Sequence, residues 1–282
     1  ESAPLIYTPT HMEIFKVKFK LLTAAAILST SMSVSSNEYQ WFSELAYSNI
    51  DAGSGSVDAL SLEGQYFFDN KKALGPYNEF EYINKVSNID ASYSNIGLGD
   101  YYVTQASGEF FVNNFLLGLG LSDDKFGDNP KDFTLGYLFS DNFLVRVDAV
   151  DPEEGDTVYN ISAAYNHQIS ATDYIGFTLA TDDDTDVVSL SSKYFTHLGD
   201  DNYLAAEFSI VDTDVDNYWS LGASYYFSKA TSVFASLDDN DLYEIGARHF
   251  FDENISLYGA YSSQDDSGFD IDTYTIGLTA QF

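Results

Sequence analysis

Between Asp272 and Phe282 the apolar side chains fall on every second position: Tyr274, Ile276, Leu278, Ala280 and Phe282. Thr273, Thr275, Gly277, Thr279 and Gln281 stand between them. A period of two puts the two sets on opposite faces of extended chain, so this stretch predicts a strand with one greasy face and one small or polar face. The same alternation recurs in Trp219, Leu221, Ala223, Tyr225 and Phe227, in Tyr159, Ile161, Ala163 and Tyr165, and in Phe133, Leu135, Tyr137 and Phe139. It is poor between Asn88 and Gly108.

The connections sort into two chemical kinds. Short turns beside aromatics are expected at Phe67 to Asn70, Phe111 to Asn114, Phe139 to Asn142 and Phe250 to Asn254, with less regular ones near Ser170, Gly199 and Lys229. Aspartate-rich connections lie between them, around Asp51, Asp90, Asp123 to Asp132, Asp151 to Asp156, Asp182 to Asp186, Asp212 to Asp216, Asp238 to Asp241 and Asp265 to Asp270. Seven turns and eight loops join sixteen antiparallel strands. Pro76, Pro130 and Pro152 all fall in connections, as strand pairing requires.

Strands of roughly 9 to 11 residues, apolar on one face and polar on the other, fit a transmembrane up-and-down β-barrel. A soluble sandwich also alternates, but nothing in it sorts turns into two classes. The expected fold is therefore an all-β, sixteen-stranded antiparallel barrel in the outer membrane, with a short-turn periplasmic rim and an acidic outer rim. No run of about 18 to 20 apolar residues offers a transmembrane helix.

Residues 1–36 are set aside from the barrel. From Met12 the chain reads as an export signal, with Lys16, Lys18 and Lys20 before an apolar stretch, Leu21 to Leu28, and a small-residue exit, Val34-Ser35-Ser36. Glu1 to His11 precede the first methionine and read as an upstream extension. The barrel is expected over 37–282.

Composition then narrows the function. The chain carries 44 acidic against 12 basic side chains, a net charge of −32, which argues against nucleic-acid binding. It has no cysteine, which removes disulfides, thiolate metal sites and cysteine nucleophiles.

The terminal Phe282, preceded by apolar residues at alternate positions from Tyr274, resembles the signature read by the outer-membrane barrel assembly machinery. The segment Leu74 to Lys85, with its Gly-Pro-x-x-Glu core, resembles a stretch of a Gram-negative outer-membrane porin family found in marine bacteria. The resemblance implies passive diffusion across the outer membrane and supplies no established binding residues. The third acidic loop, Ser122 to Lys131, is too short for the long inward-folded constriction loop of trimeric porins, so a homotrimer is an open expectation.

Most of the acidic residues lie in the acidic loops, which hold only Lys125 and Lys131 in return. Such a rim concentrates cations near the mouth over a screening length of about 8 to 10 Å, or simply solvates the loops. Parity places Glu44, Glu63, Glu79, Glu81, Glu109, Asp148, Glu207 and Glu244 on the non-lipid face of the wall, with Lys85, Arg146, Lys193 and Arg248. An outward base would cost up to about 2 to 4 kcal/mol at mid-membrane. The net negative lumen favours cations, unless Arg146 with Asp148, or Lys193 and Arg248 with nearby glutamates, pair off and brace the barrel.

Other chemistry is thinner. Asp212, Asp214 and Asp216 match the start of a calcium loop, but Asn217 and Ala223 stand where its glycine and glutamate belong. Asp182, Asp184 and Asp186 form the densest remaining acidic cluster, suited to loose divalent binding or simple solvation. His167, His197 and His249 fall near the short-turn rim, and the outer edge has acids without histidine, so no catalytic constellation or cofactor site is expected. Tyr66, Tyr165, Tyr194, Tyr225, Phe227 and Phe251 suit a lipid-headgroup girdle, while Phe67, Phe111, Tyr203 and Tyr226 face inward, to narrow the pore or stack a sugar. The sequence thus favours a porin passing small hydrophilic solutes, cations preferred, in contact with membrane lipid and lipopolysaccharide. The rival reading is a closed structural barrel whose acidic loops bind divalent cations, lipopolysaccharide or a partner. A channel specific for a sugar or an anion comes third.

Overall fold

The structure, a computed structural model, describes residues 37–282 apart from 54, 98–100, 128, 153–154 and 267–268. The expected leader and upstream extension lie outside the described residues. Sixteen strands follow one another: β1 Glu38–Asp51, β2 Ser56–Lys72, β3 Asn88–Ile96, β4 Tyr101–Val112, β5 Phe115–Asp124, β6 Lys131–Ser140, β7 Phe143–Asp151 and β8 Val158–Gln168. The second half continues with β9 Tyr174–Asp182, β10 Val187–Gly199, β11 Asn202–Thr213, β12 Asn217–Ser228, β13 Thr231–Asp238, β14 Tyr243–Phe250, β15 Ile255–Asp266 and β16 Phe269–Gln281.

Every strand pairs antiparallel with its sequence neighbours, and β1 pairs with β16 to close the ring. The seam runs from Phe42 opposite Gln281 to Asp51 opposite Asp272. At its end the Phe282 carbonyl accepts hydrogen bonds from the Gln40 and Trp41 amides at 2.6 and 2.8 Å, and the Phe282 amide donates to the Trp41 carbonyl at 2.8 Å. The expected strand at the C-terminus is thus the closing strand.

The wall is inverted relative to a water-soluble fold. Along β5, Leu117, Leu119 and Leu121 face outward, with Leu119 61% exposed, and Tyr274, Ile276 and Leu278 do the same on β16. The glycines between them face inward, where space is short. A Cβ added at Gly118 would lie 2.7 Å from the Thr134 Cβ, and one at Gly120 would lie 2.9 Å from an Asp132 carboxylate oxygen. Aromatic rings also lie across inward glycines on neighbouring strands, Phe234 over Gly246 and Tyr258 over Gly277.

Two rims emerge as expected. Seven of the eight connections at one end follow the expected acidic stretches, and the third of the eight spans only 125–130. At the other end six connections are short, and two of the two-residue turns place Asn113 and Asp200 at φ of 55° and 52°, a region these side chains tolerate.

Two expectations are corrected here. Phe67 to Asn70 is no turn but part of β2, which runs to Lys72. Asp90 is no loop residue either: it lies inside β3, opposite Gln65 and Ser107, and accepts a hydrogen bond from the Ser107 hydroxyl. The cause is shared. Residues 73–87 form the seventh connection on the short-turn side, so the third strand starts at Asn88 and runs to Ile96. Gly75 and Pro76 break the ladder at its start, and the strand count stays at sixteen because one strand moved and none was lost.

The Gly246 contact gives a stability test. An added Cβ meets the Phe234 ring and lies 2.7 Å from the Gly259 carbonyl oxygen, which is backbone and cannot swing away. Gly246→Ala is expected to destabilise the barrel by about 1 to 3 kcal/mol despite alanine's better strand entropy, measured by urea unfolding in lipid vesicles.

Candidate functional site

Of the twelve charged residues expected along the lumen, nine lie on strands, and the wall bases are each held by carboxylates. On β7, Arg146 reaches Glu109 of β4 at 2.8 Å and Asp148 at 2.6 Å, and Thr134 of β6 donates its hydroxyl to Asp148 at 2.6 Å. On β14, Arg248 lies 3.3 Å from Glu44 of β1, with its guanidinium 4.5 Å from the Tyr258 ring centre. Glu44 also accepts hydrogen bonds from Tyr258 at 2.7 Å and Thr279 at 2.9 Å. On β10, Lys193 bridges Glu207 of β11 and Glu79, each at 3.0 Å.

Glu63 and Glu244 differ from these. Glu63 stands directly across from Glu44 on the paired strands, and Glu244 is two pleats from Arg248 on the same face. Neither has a cationic partner among the described residues.

The remaining three, Glu79, Glu81 and Lys85, are not in the wall. They belong to 73–87, which folds into the barrel at its short-turn end. Gly75 and Pro76 start a tight turn in which the Glu79 amide donates to the Pro76 carbonyl at 3.2 Å and the Leu74 amide to the Glu79 carbonyl at 2.8 Å. That turn buries the Glu79 side chain, 5% exposed, where a carboxylate needs partners. Lys193 supplies one, and the Tyr226 hydroxyl of β12 supplies another at 2.6 Å. Glu81 and Lys85 pair with each other at 3.0 Å.

Around this turn the segment touches wall on every side. The Tyr77 amide donates to the Lys229 carbonyl at 3.0 Å, its carbonyl accepts from the Gln281 side chain at 2.9 Å, and its ring meets Phe250 edge-on. The Phe80 ring packs edge-on against Phe42 and Tyr39 of β1. Tyr82 lies on Gly176 and shares a 2.7 Å hydrogen bond with Thr178 of β9. Ile83 is buried among Leu116, Leu138 and Leu144 of β5, β6 and β7. Three of the four inward aromatics read from the sequence serve this segment, Tyr203 and Tyr226 clustering against Leu74 and Tyr82, and Phe111 against Ile83, while Phe67 packs on Phe42 and Lys71. Tyr226 and Tyr258 as partners of Glu79 and Glu44 escape sequence reasoning, since nothing in strand parity says which inward carboxylate a phenol will meet.

Beneath the segment, at the short-turn mouth, lies a cavity of about 590 Å³ lined in part by Lys71, Lys72, Lys85 and Lys229. The opposite rim is acidic. There the loops carrying Asp182, Asp184 and Asp186 and Asp212, Asp214 and Asp216 are neighbours, with the Asp214 amide donating to the Asp186 carbonyl at 3.2 Å. Asp214 above all, with Asp182 and Asp184, raises the Asp186 carboxyl above its ordinary value. Among the described residues no group of three or more ligating side chains is placed to hold a metal ion. His167, His197 and His249 sit at the short-turn ends of β8, β10 and β14, where His197 bonds the Asp200 carbonyl and His249 the Thr231 hydroxyl. Phe227 and Phe251 face outward at the same level.

A closed antiparallel ring with a greasy outside, a charged inside and two unlike rims defines an outer-membrane β-barrel. The family model described as "Putative general bacterial porin" matches residues 14–282, and the chain belongs to that family. Among solved structures, the Acinetobacter baumannii outer membrane protein Omp33 is similar at 16% identity and a TM-score of 0.56, over 88% of this chain and 100% of its own. A triple mutant of Rhodopseudomonas blastica porin is similar at 14% identity and a TM-score of 0.52, over 87% of this chain and 99% of its own. These likenesses are of fold. No curated protein matches the chain.

The Arg146 cluster should behave as a unit. Arg146→Gln leaves Glu109 and Asp148 facing each other without a cation, and is expected to cost about 1 to 3 kcal/mol, less than a fully buried pair because all three side chains keep some water. Unfolding midpoints should recover in the triple variant Arg146→Gln, Glu109→Gln, Asp148→Asn.

Proposed function

We propose that the barrel passes small hydrophilic solutes by diffusion through a water-filled lumen, with cations preferred and no chemical step or cofactor. The observation that carries this reading is the imbalance inside the wall. Arg146, Lys193 and Arg248 are already held by acids, whereas Glu63 and Glu244 present carboxylates with no cationic partner among the described residues. The acidic outer rim adds to this field by raising the local cation concentration at the entrance. Outer-membrane lipid and lipopolysaccharide surround the barrel, and the family likeness extends the proposal to recognition of Phe282 by the assembly machinery and to a homotrimer.

The rival closed structural barrel has one observation in its favour, the segment 73–87 folded across the inner end. Single-channel recording of the refolded protein in a planar bilayer separates the two, since a folded barrel that carries no steady current under any condition is not a channel. With a salt gradient the reversal potential should show cation preference. Glu63→Gln with Glu244→Gln should move it toward zero while leaving the barrel folded. A reversal potential that these two changes leave untouched would place the selectivity elsewhere.

A further inference from the structure

We infer that residues 73–87, and not an outer loop, form the gate of this pore, with Glu79 as its latch on Lys193 and Tyr226. The inference rests on the channel reading above and deepens it.

Reach is the first argument. The third outer connection has six residues, 125–130, which folded out and back extend only roughly 10 Å, while the fifteen residues of 73–87 extend roughly 25 Å. The second argument is placement. Phe80 reaches β1, Tyr77 reaches β14 and β16, Glu79 reaches β10 and β12, Tyr82 reaches β9, and Ile83 reaches β5 to β7, so the segment stands across the lumen. The third argument is the manner of attachment. No β-ladder joins 73–87 to the wall; side-chain packing and scattered hydrogen bonds hold it, and its one buried carboxylate is bound by an ammonium and a phenol. It can therefore leave the lumen without breaking any of the sixteen strand pairings that close the barrel. The cavity of about 590 Å³ on its periplasmic side gives it room to move.

The absence of native cysteine makes a clean test. A Cβ placed at Gly176 would lie against the ring carbon bonded to the Tyr82 Cβ, so the two Cβ atoms are no farther apart than the roughly 4 Å a disulfide spans. Tyr82→Cys with Gly176→Cys should form the molecule's sole disulfide and pin the segment to β9. In planar bilayers the oxidised protein is expected to conduct about tenfold less than the same protein after reductant, a factor matching roughly 1.4 kcal/mol. Equal current in the two redox states overturns the gate. Glu79→Gln, in the otherwise unchanged chain, should raise the open-to-closed ratio, and an unchanged ratio counts against the latch. Should the cysteine pair fail to fold, a variant with 74–86 replaced by a short Gly-Ser turn decides the matter. Larger conductance than the parent supports the gate, and equal conductance overturns it. If this shortened barrel is folded, by its heat-modifiable mobility on gels, yet silent, the channel reading itself fails; if it conducts no better than the parent, only the gate does.

Discussion

In hydrocarbon an amide without a partner costs several kcal/mol, because no water can take its place. Everything else in this barrel follows from meeting that constraint. Sixteen strands satisfy their neighbours, and the last two unpaired edges, β1 and β16, satisfy each other from Phe42 opposite Gln281 to Asp51 opposite Asp272. Phe282 extends the seam by one more set of backbone bonds to Gln40 and Trp41. Closure makes the outside continuous, which is why Leu119 and Ile276 can point away from the protein at no cost in lipid.

Closure also creates an inside that the strands alone cannot fill. The basic side chains driven off the lipid face find acidic partners there, across several strands: Arg146 of β7 with Glu109 of β4, Arg248 of β14 with Glu44 of β1. Such pairs bind together parts of the wall that share no ladder. Glycines on the same face make room for aromatic rings, as Gly277 does for Tyr258, so that a bulky phenol can lie flat and still reach a carboxylate.

The segment 73–87 supplies much of the packed core inside the barrel. Ile83 with Leu116, Leu138 and Leu144, and Leu74 and Tyr82 with the Tyr174 to Tyr226 cluster, bury apolar surface at the short-turn end. The outer loops are rich in aspartate, and the inner mouth is lined in part by lysines. Two of those lysines have acidic partners, Lys85 with Glu81 and Lys229 with Asp201, so the inner mouth carries both signs of charge.

Alternation with period two, two unlike kinds of turn and three prolines in connections sufficed to read the barrel, its strand number and its two unlike ends, because each is a local property of the chain. The placement of Glu44, Glu109, Arg146 and Lys193 on the inner face followed from the same parity. Where parity was extended through Glu79, Glu81 and Lys85, it failed, since alternating residues inside a folded connection look like a strand until the third dimension shows no neighbour to pair with. The partners of Glu79 lie 114 and 147 residues away along the chain. No local pattern encodes a contact at that separation, so the sequence by itself determined the ring and its faces, and only the tertiary structure decided what stands inside it.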